Sequence, residues 1–135
     1  MLQKIFLFLL ILAANLIFVW YGNFTGKLPA KGVIFGLNYD SIFVRAVVTQ
    51  FQYVWVLIIA NIMFTLFFKL GFEAFKNNFL SLAIIWLVSG PIAALIFNTF
   101  VLKERVSFVA LAGVVLLIAG SVLVIAQKEI AALMK

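Results

Sequence analysis

The stretch VLKERVSFVALAGVVLLIAGSVLVI (residues 101–125) places three consecutive charges, Lys103, Glu104 and Arg105, before a long run without any charge. About 20 apolar residues in a helix cross the hydrocarbon core of a bilayer. Lipid offers backbone groups no partner, so such a run must be helical. The charged triplet then reads as a tight turn held at the headgroups by Lys103 and Arg105. In the helix that follows, Gly113 and Gly120 are seven residues apart and share one face. Ala112 and Ala119 lie beside them, which makes a small-residue seam suited to close helix contact.

The same grammar of long apolar blocks with charged ends runs through the rest of the chain. Its 135 residues are 67% hydrophobic and 10% charged, against roughly 25% charged in an average soluble protein. A soluble domain of this size leaves much of its surface in water and has nowhere to hide so many apolar side chains. Four spans are predicted, at 2–21, 47–68, 79–102 and 106–126. The fold class is therefore an all-α integral membrane protein, one domain over 1–135 built as a four transmembrane helix bundle. The first segment is too long for the apolar region of a cleavable signal peptide.

The chain has no cysteine and no histidine. Disulfides, the common zinc sites and histidine acid–base chemistry are excluded, and no cofactor or metal is expected. The net charge of +6 sits at the ends of apolar blocks, where it meets lipid headgroups, and not nucleic acid. Lys27, Lys31 and Arg45 in the first loop are candidate contacts for a lipid phosphate, or anchors in the headgroup layer.

Residues 22–46 read as a long first loop. Its segment Asn38, Tyr39, Asp40, Ser41 suggests a turn followed by an N-cap, with Asp40 or Ser41 as the capping side chain. The second helix would then begin near Ile42 and run unbroken through the second span. The two later connections are short, so sequential helices are expected to pack as antiparallel neighbours. Asn23, Phe24 and Thr25 match the glycosylation acceptor pattern, read here as chance so close to the membrane. Five basic residues fall on each side of the predicted bundle: Lys4, Lys69, Lys76, Lys128 and Lys135 against Lys27, Lys31, Arg45, Lys103 and Arg105. Orientation follows an imbalance of such charges. Their balance leaves two readings open, a count too coarse to orient the chain or copies inserted both ways.

Polar groups inside the membrane are expensive and are the first functional candidates. All four acids, Asp40, Glu73, Glu104 and Glu129, lie in loops or at helix ends. The helix cores hold no group that titrates, and nothing pairs the loop acids, so the chain is read as non-enzymatic. Neutral polar residues remain. Asn15 lies mid-span beside Ala13 and Ala14 and is expected to face protein or a cavity. Asn61, Asn98 and Ser121 read as interhelical hydrogen-bonding groups. In the third span Ser89, Gly90 and Pro91 stand together. Proline removes one backbone donor and crowds the carbonyl four residues back, which predicts a kink near Leu87.

These motifs resemble those of the small multidrug resistance transporters and the wider drug/metabolite transporter superfamily, EamA-like members included. The likeness covers residues 80–125. LKERVS (102–107) looks like the charged element before that family's last helix, and AGVVLLIAG (112–120) like its GxxLxxxG element. AIIWLVSG (83–90) is similar to its tryptophan-bearing third helix, with Trp86 placed 19 residues before Arg105. The resemblance implies dimerisation through Gly113, Leu116 and Gly120, as a homodimer, including an antiparallel one, or as a heterodimer. It implies a substrate cavity lined by Asn15, Trp86, Ser89, Gly90 and Pro91, in a prokaryotic inner (plasma) membrane. The multidrug members carry a membrane glutamate in the first helix that exchanges protons for cations. Asn15 stands in the corresponding stretch and holds neither proton nor charge. The expected function is a small-molecule transporter, or a flippase for a lipid-linked substrate, without that glutamate. The alternative is a non-transporting subunit or scaffold of a larger membrane complex.

Overall fold

A computed structural model describes residues 2–34, 36–76 and 78–126. Lys128, Glu129 and Lys135 lie outside the described residues. The elements are α1 (Leu2–Gly26), β1 (Lys31–Ile34), β2 (Leu37–Asp40), α2 (Ile42–Gln52), α3 (Val54–Ala74), α4 (Phe79–Phe100) and α5 (Phe108–Ile125). Among the described residues α1, α3, α4 and α5 are long and apolar enough to cross a membrane. The protein is an all-α membrane protein with four candidate spanning helices.

The central helix is α1, packed against α3 and α4. Leu7, Ile11 and Ala14 recur at helical spacing on one face and are buried with Phe67 of α3 and Leu82 of α4. Lipid tails are as apolar as leucine, so these helices associate through close packing and hydrogen bonds and not through exclusion of water. Small residues permit the approach: Ala14, Ala60 and Ala93, one from each of the three helices, are fully buried. Gly71 faces Leu82 so closely that a Cβ at position 71 would overlap the Leu82 side chain. Between α3 and α4 aromatic rings fill the remaining gap, with Phe79 stacked on Phe68 and Phe72 at 6.1 and 6.2 Å.

The sequential helices α3 and α4 are joined by a short turn, but their backbones meet less than those of α1 and α4. The latter pair is parallel, because α3 carries the chain back across the bundle between them. The expectation drawn from the two short connections concerned α3 with α4 and α4 with α5: α4 and α5 do pack together, whereas α3 and α4 meet only slightly because α1 lies against both.

Several boundaries differ from those predicted. The first helix continues through the segment assigned to the loop, to Gly26. Thr25 helps: its hydroxyl donates to the carbonyls of Tyr21 at 2.9 Å and Gly22 at 3.2 Å. Asn23 and Thr25 are thus helical residues. The segment read as a turn at residues 38–41 is mostly strand. β1 and β2 form an antiparallel hairpin in which Ile34 pairs with Leu37. Gly36, before the second strand, has φ of 79°, a left-handed conformation that suits glycine. Asp40 is no cap. Its carboxylate accepts from Lys31 at 2.8 Å. Ser41 holds the N-cap position without a side-chain capping bond.

The second helix does not run unbroken from Ile42. It breaks at Tyr53, whose φ of −112° and ψ of 21° leave the helical region, so the spanning helix α3 starts at Val54. The cause lies in composition and packing. Arg45, Thr49, Gln50 and Gln52 give α2 a polar character that α3 lacks up to Asn61. Tyr53 also wedges edge-on against Tyr21 and Phe24, with ring centroids 6.3 and 5.0 Å away. Serine sets the start of α5, since Ser107 Oγ accepts from the Ala110 amide at 3.2 Å. Asn78 caps α4 in the same way through the Ser81 amide at 3.3 Å.

Candidate functional site

The middle of the bundle carries a short chain of hydrogen bonds. Asn15 Nδ2 donates to the Ile11 carbonyl at 3.1 Å and to Ser89 Oγ at 2.7 Å. Ser89 Oγ in turn donates to the Trp86 carbonyl at 2.7 Å. Ser89 is fully buried. Left unpaired in hydrocarbon, its hydroxyl would cost several kcal/mol by order of magnitude. Two helices therefore share one polar node, with both amide protons of Asn15 in use and its Oδ1 left over. Gly90 lies on the same side: a Cβ added there would sit 4.0 Å from Asn15 Oδ1.

Beside this node is a cavity of about 270 Å³, lined by Asn15, Phe18, Asn61, Phe64 and Trp86. The Trp86 indole stands edge-on to Phe64 at 5.2 Å and is 41% exposed, so the cavity opens at the side of the bundle. Of the residues singled out in the sequence, Asn15 and Trp86 line this cavity; Ser89 is bonded to Asn15 and Gly90 lies near its Oδ1, but neither lines the cavity. Pro91 is half-buried inside the continuous helix α4. It acts through the backbone, offering no N–H to the Leu87 carbonyl, and does not line the cavity. Asn61 is the residue that sequence reasoning assigned elsewhere. It is exposed, and its carbonyl accepts from Thr65 within α3. The signal was available, since Asn61 is a mid-span amide by the same criterion as Asn15.

The small-residue seam of α5 is open. No residue of α5 is buried, and its main partner is α4. Among the described residues nothing lies within 4 Å of a Cβ added at Gly113 or Gly120. With Leu116 these glycines line a groove of about 550 Å³ between α5 and α4, closed on the α4 side by Ile84, Leu87 and Val88.

The three basic residues of the first connection do not converge. Lys31 is held by Asp40 on an exposed surface. Lys27 lines one groove with Trp20, Phe24 and Phe97. Arg45 lines another, between the end of α1 and α2. No protein-family model, curated protein or solved structure matches the chain.

Proposed function

We propose that the protein is a small membrane transporter or lipid-substrate flippase of the drug/metabolite transporter type, acting as a dimer in a prokaryotic inner membrane. The observation that carries this reading is the polar node of Asn15 and Ser89 beside a side-opening cavity that also presents Asn61 and Trp86. Amide groups facing a lateral opening in lipid are costly unless something polar covers them. A substrate with neutral hydrogen-bonding groups supplies that cover during passage. Asn15 Oδ1 and the Asn61 amide offer acceptors and donors, and the Trp86 face packs against an apolar part. No acid stands at this site, so substrate movement is not coupled to a proton held there. A second copy meets the bundle at Gly113, Leu116 and Gly120, where backbone-to-backbone approach is unobstructed.

One observation favours a second reading, a non-transporting subunit. Both amide protons of Asn15 are already satisfied within the bundle, as in a purely structural contact. Proteoliposomes decide between the two. The probe is a short-chain lipid bearing a fluorescent NBD group, reduced by external dithionite. Transport predicts accelerated loss of inner-leaflet fluorescence, abolished in Asn61→Leu while the protein remains folded. A folded wild-type protein that moves neither this probe nor a panel of neutral solutes would replace transport by the subunit reading.

A further inference from the structure

At the end of the bundle where α1 stops, α2 shows two contrasting faces. Phe43, Val47 and Phe51 follow one another at four-residue spacing on one side, and Phe43 and Phe51 are 77% and 76% exposed. Arg45 and Thr49 project from the other side. Beyond the break at Tyr53, Val54, Trp55 and Ile58 of the spanning helix α3 are exposed as well. An amphipathic helix joined through one residue to a spanning helix, with two exposed phenylalanines, lies in the interfacial layer of the bilayer. Its polar face is then at the depth of lipid phosphates.

That polar face closes a cleft of about 430 Å³, whose polar side chains are Thr25, Arg45, Thr49 and Gln50. Arg45 dominates it. Its guanidinium carbon lies 5.3 Å from the centre of the Tyr39 ring, while its Nε is buried without a hydrogen-bond partner among the described residues. A buried charged donor without a partner costs more than a neutral one. The nearby acid does not compensate it, since Asp40 is engaged by Lys31. Thr49 lies beside Arg45 on α2 and spends its hydroxyl proton on the Arg45 carbonyl; Thr25, on α1, donates to the carbonyls of Tyr21 and Gly22, which leaves its oxygen free to accept. The α2 side thus offers a cation, and Thr25 of α1 offers an acceptor for a hydroxyl donor.

We infer that this cleft binds the headgroup of an anionic lipid that joins a phosphodiester to a polyol, with the phosphate on Arg45 and the hydroxyls toward Thr25. The site is separate from the Asn15 cavity and is independent of the transport reading. Lys27 and Lys31 take no part in it.

The test uses the full chain in nanodiscs of phosphatidylethanolamine with phosphatidylglycerol, extracted into mild detergent and weighed intact by native mass spectrometry. Wild-type protein retains phosphatidylglycerol over phosphatidylethanolamine. Arg45→Gln lowers that retention by roughly tenfold, as expected for loss of one charge-assisted contact. Lys31→Gln, with its side chain outside the cleft, retains the lipid as wild type does. Arg45→Lys keeps the charge and retains more lipid than Arg45→Gln, which separates binding from folding. Glycerol phosphate and inorganic phosphate are added as competitors. If glycerol phosphate alone displaces the lipid, the polyol phosphate is confirmed as the recognised group. If inorganic phosphate displaces it equally well, the polyol assignment is overturned. Equal retention by wild type and a folded Arg45→Gln overturns the site.

Discussion

Asn15 and Ser89 are 74 positions apart in the chain, yet they are joined by a 2.7 Å hydrogen bond between two parallel helices. The bond exists because α1 occupies the centre of the bundle and lies directly against α4. It makes mid-span polarity a shared property of two helices, and it places the mid-span amide of α1 beside the cavity that Asn61 and Trp86 complete.

A double-mutant cycle over Asn15→Leu and Ser89→Ala is expected to give a coupling of about 0.6–2 kcal/mol, the range for interhelical hydrogen bonds in membranes. Equilibrium unfolding in detergent micelles measures it. Ser89 retains its bond to the Trp86 carbonyl in Asn15→Leu, so the single change is not expected to unfold the bundle. Strictly additive effects would mean that the two side chains do not cooperate.

Gly71 and Gly120 are expected to behave oppositely. A side chain at position 71 overlaps Leu82 in the core, and Gly71→Val is expected to cost about 1–3 kcal/mol through overpacking. Leu82→Ala should recover part of that loss. Gly120 faces open space, so Gly120→Leu leaves the monomer's unfolding midpoint in place. If α5 is the dimer seam, the same change lowers crosslinking between copies. A Gly120→Leu protein that crosslinks as well as wild type would move the contact elsewhere.

Two lysines stand in left-handed backbone, Lys76 at φ 52° and Lys103 at φ 54°. A side chain there costs about 1 kcal/mol relative to glycine. Lys103→Gly is therefore expected to raise thermal stability. The turn itself stays closed by the Glu104 amide, which donates to the Asn98 carbonyl at 3.1 Å. A lowered midpoint would show that the Lys103 side chain matters more than its backbone.

The equal distribution of basic residues removes the bias that orients a chain, so insertion in both directions is expected. The absence of native cysteine makes the measurement direct. One cysteine at Val33, exposed on β1, and another appended to the C-terminus are labelled in intact cells with an impermeant reagent. Each site should react from outside in part of the population. Labelling of one site only would rule out an antiparallel dimer.

Composition and block length alone carried the environment, the four spans and the charged turn before α5, because the thickness of a bilayer imposes a minimum length that any spanning helix must meet. Asn15 was legible as an outlier for the same reason: a lone amide is conspicuous in an apolar run. The break at Tyr53 was not: polar residues do stop after Gln52, but the contact of Tyr53 with Tyr21 and Phe24, which helps place the end of α2, is formed only in the fold. The hairpin at residues 31–40 was hidden likewise. Its glycine and Asn38–Asp40 are equally at home in an open loop, and the pairing of Lys31 with Asp40 appears only once the strands meet.

What the sequence by itself determined is that four helices are long and apolar enough to cross a membrane and that the charged residues within them, such as Lys4, Lys69 and Glu73, stand near their ends; the bounds of α3, Val54–Ala74, lie six to seven residues beyond those expected. Tertiary structure alone decided which helices touch. Each spanning helix is apolar on nearly every side, so no stripe identifies its partner, and partners are chosen by shape: Ala14, Ala60 and Ala93 let α1 into the centre, and Gly71 makes room for Leu82. That choice joins Asn15 to Ser89, leaves Asn61 and Trp86 at a side opening, and leaves the α5 seam uncovered.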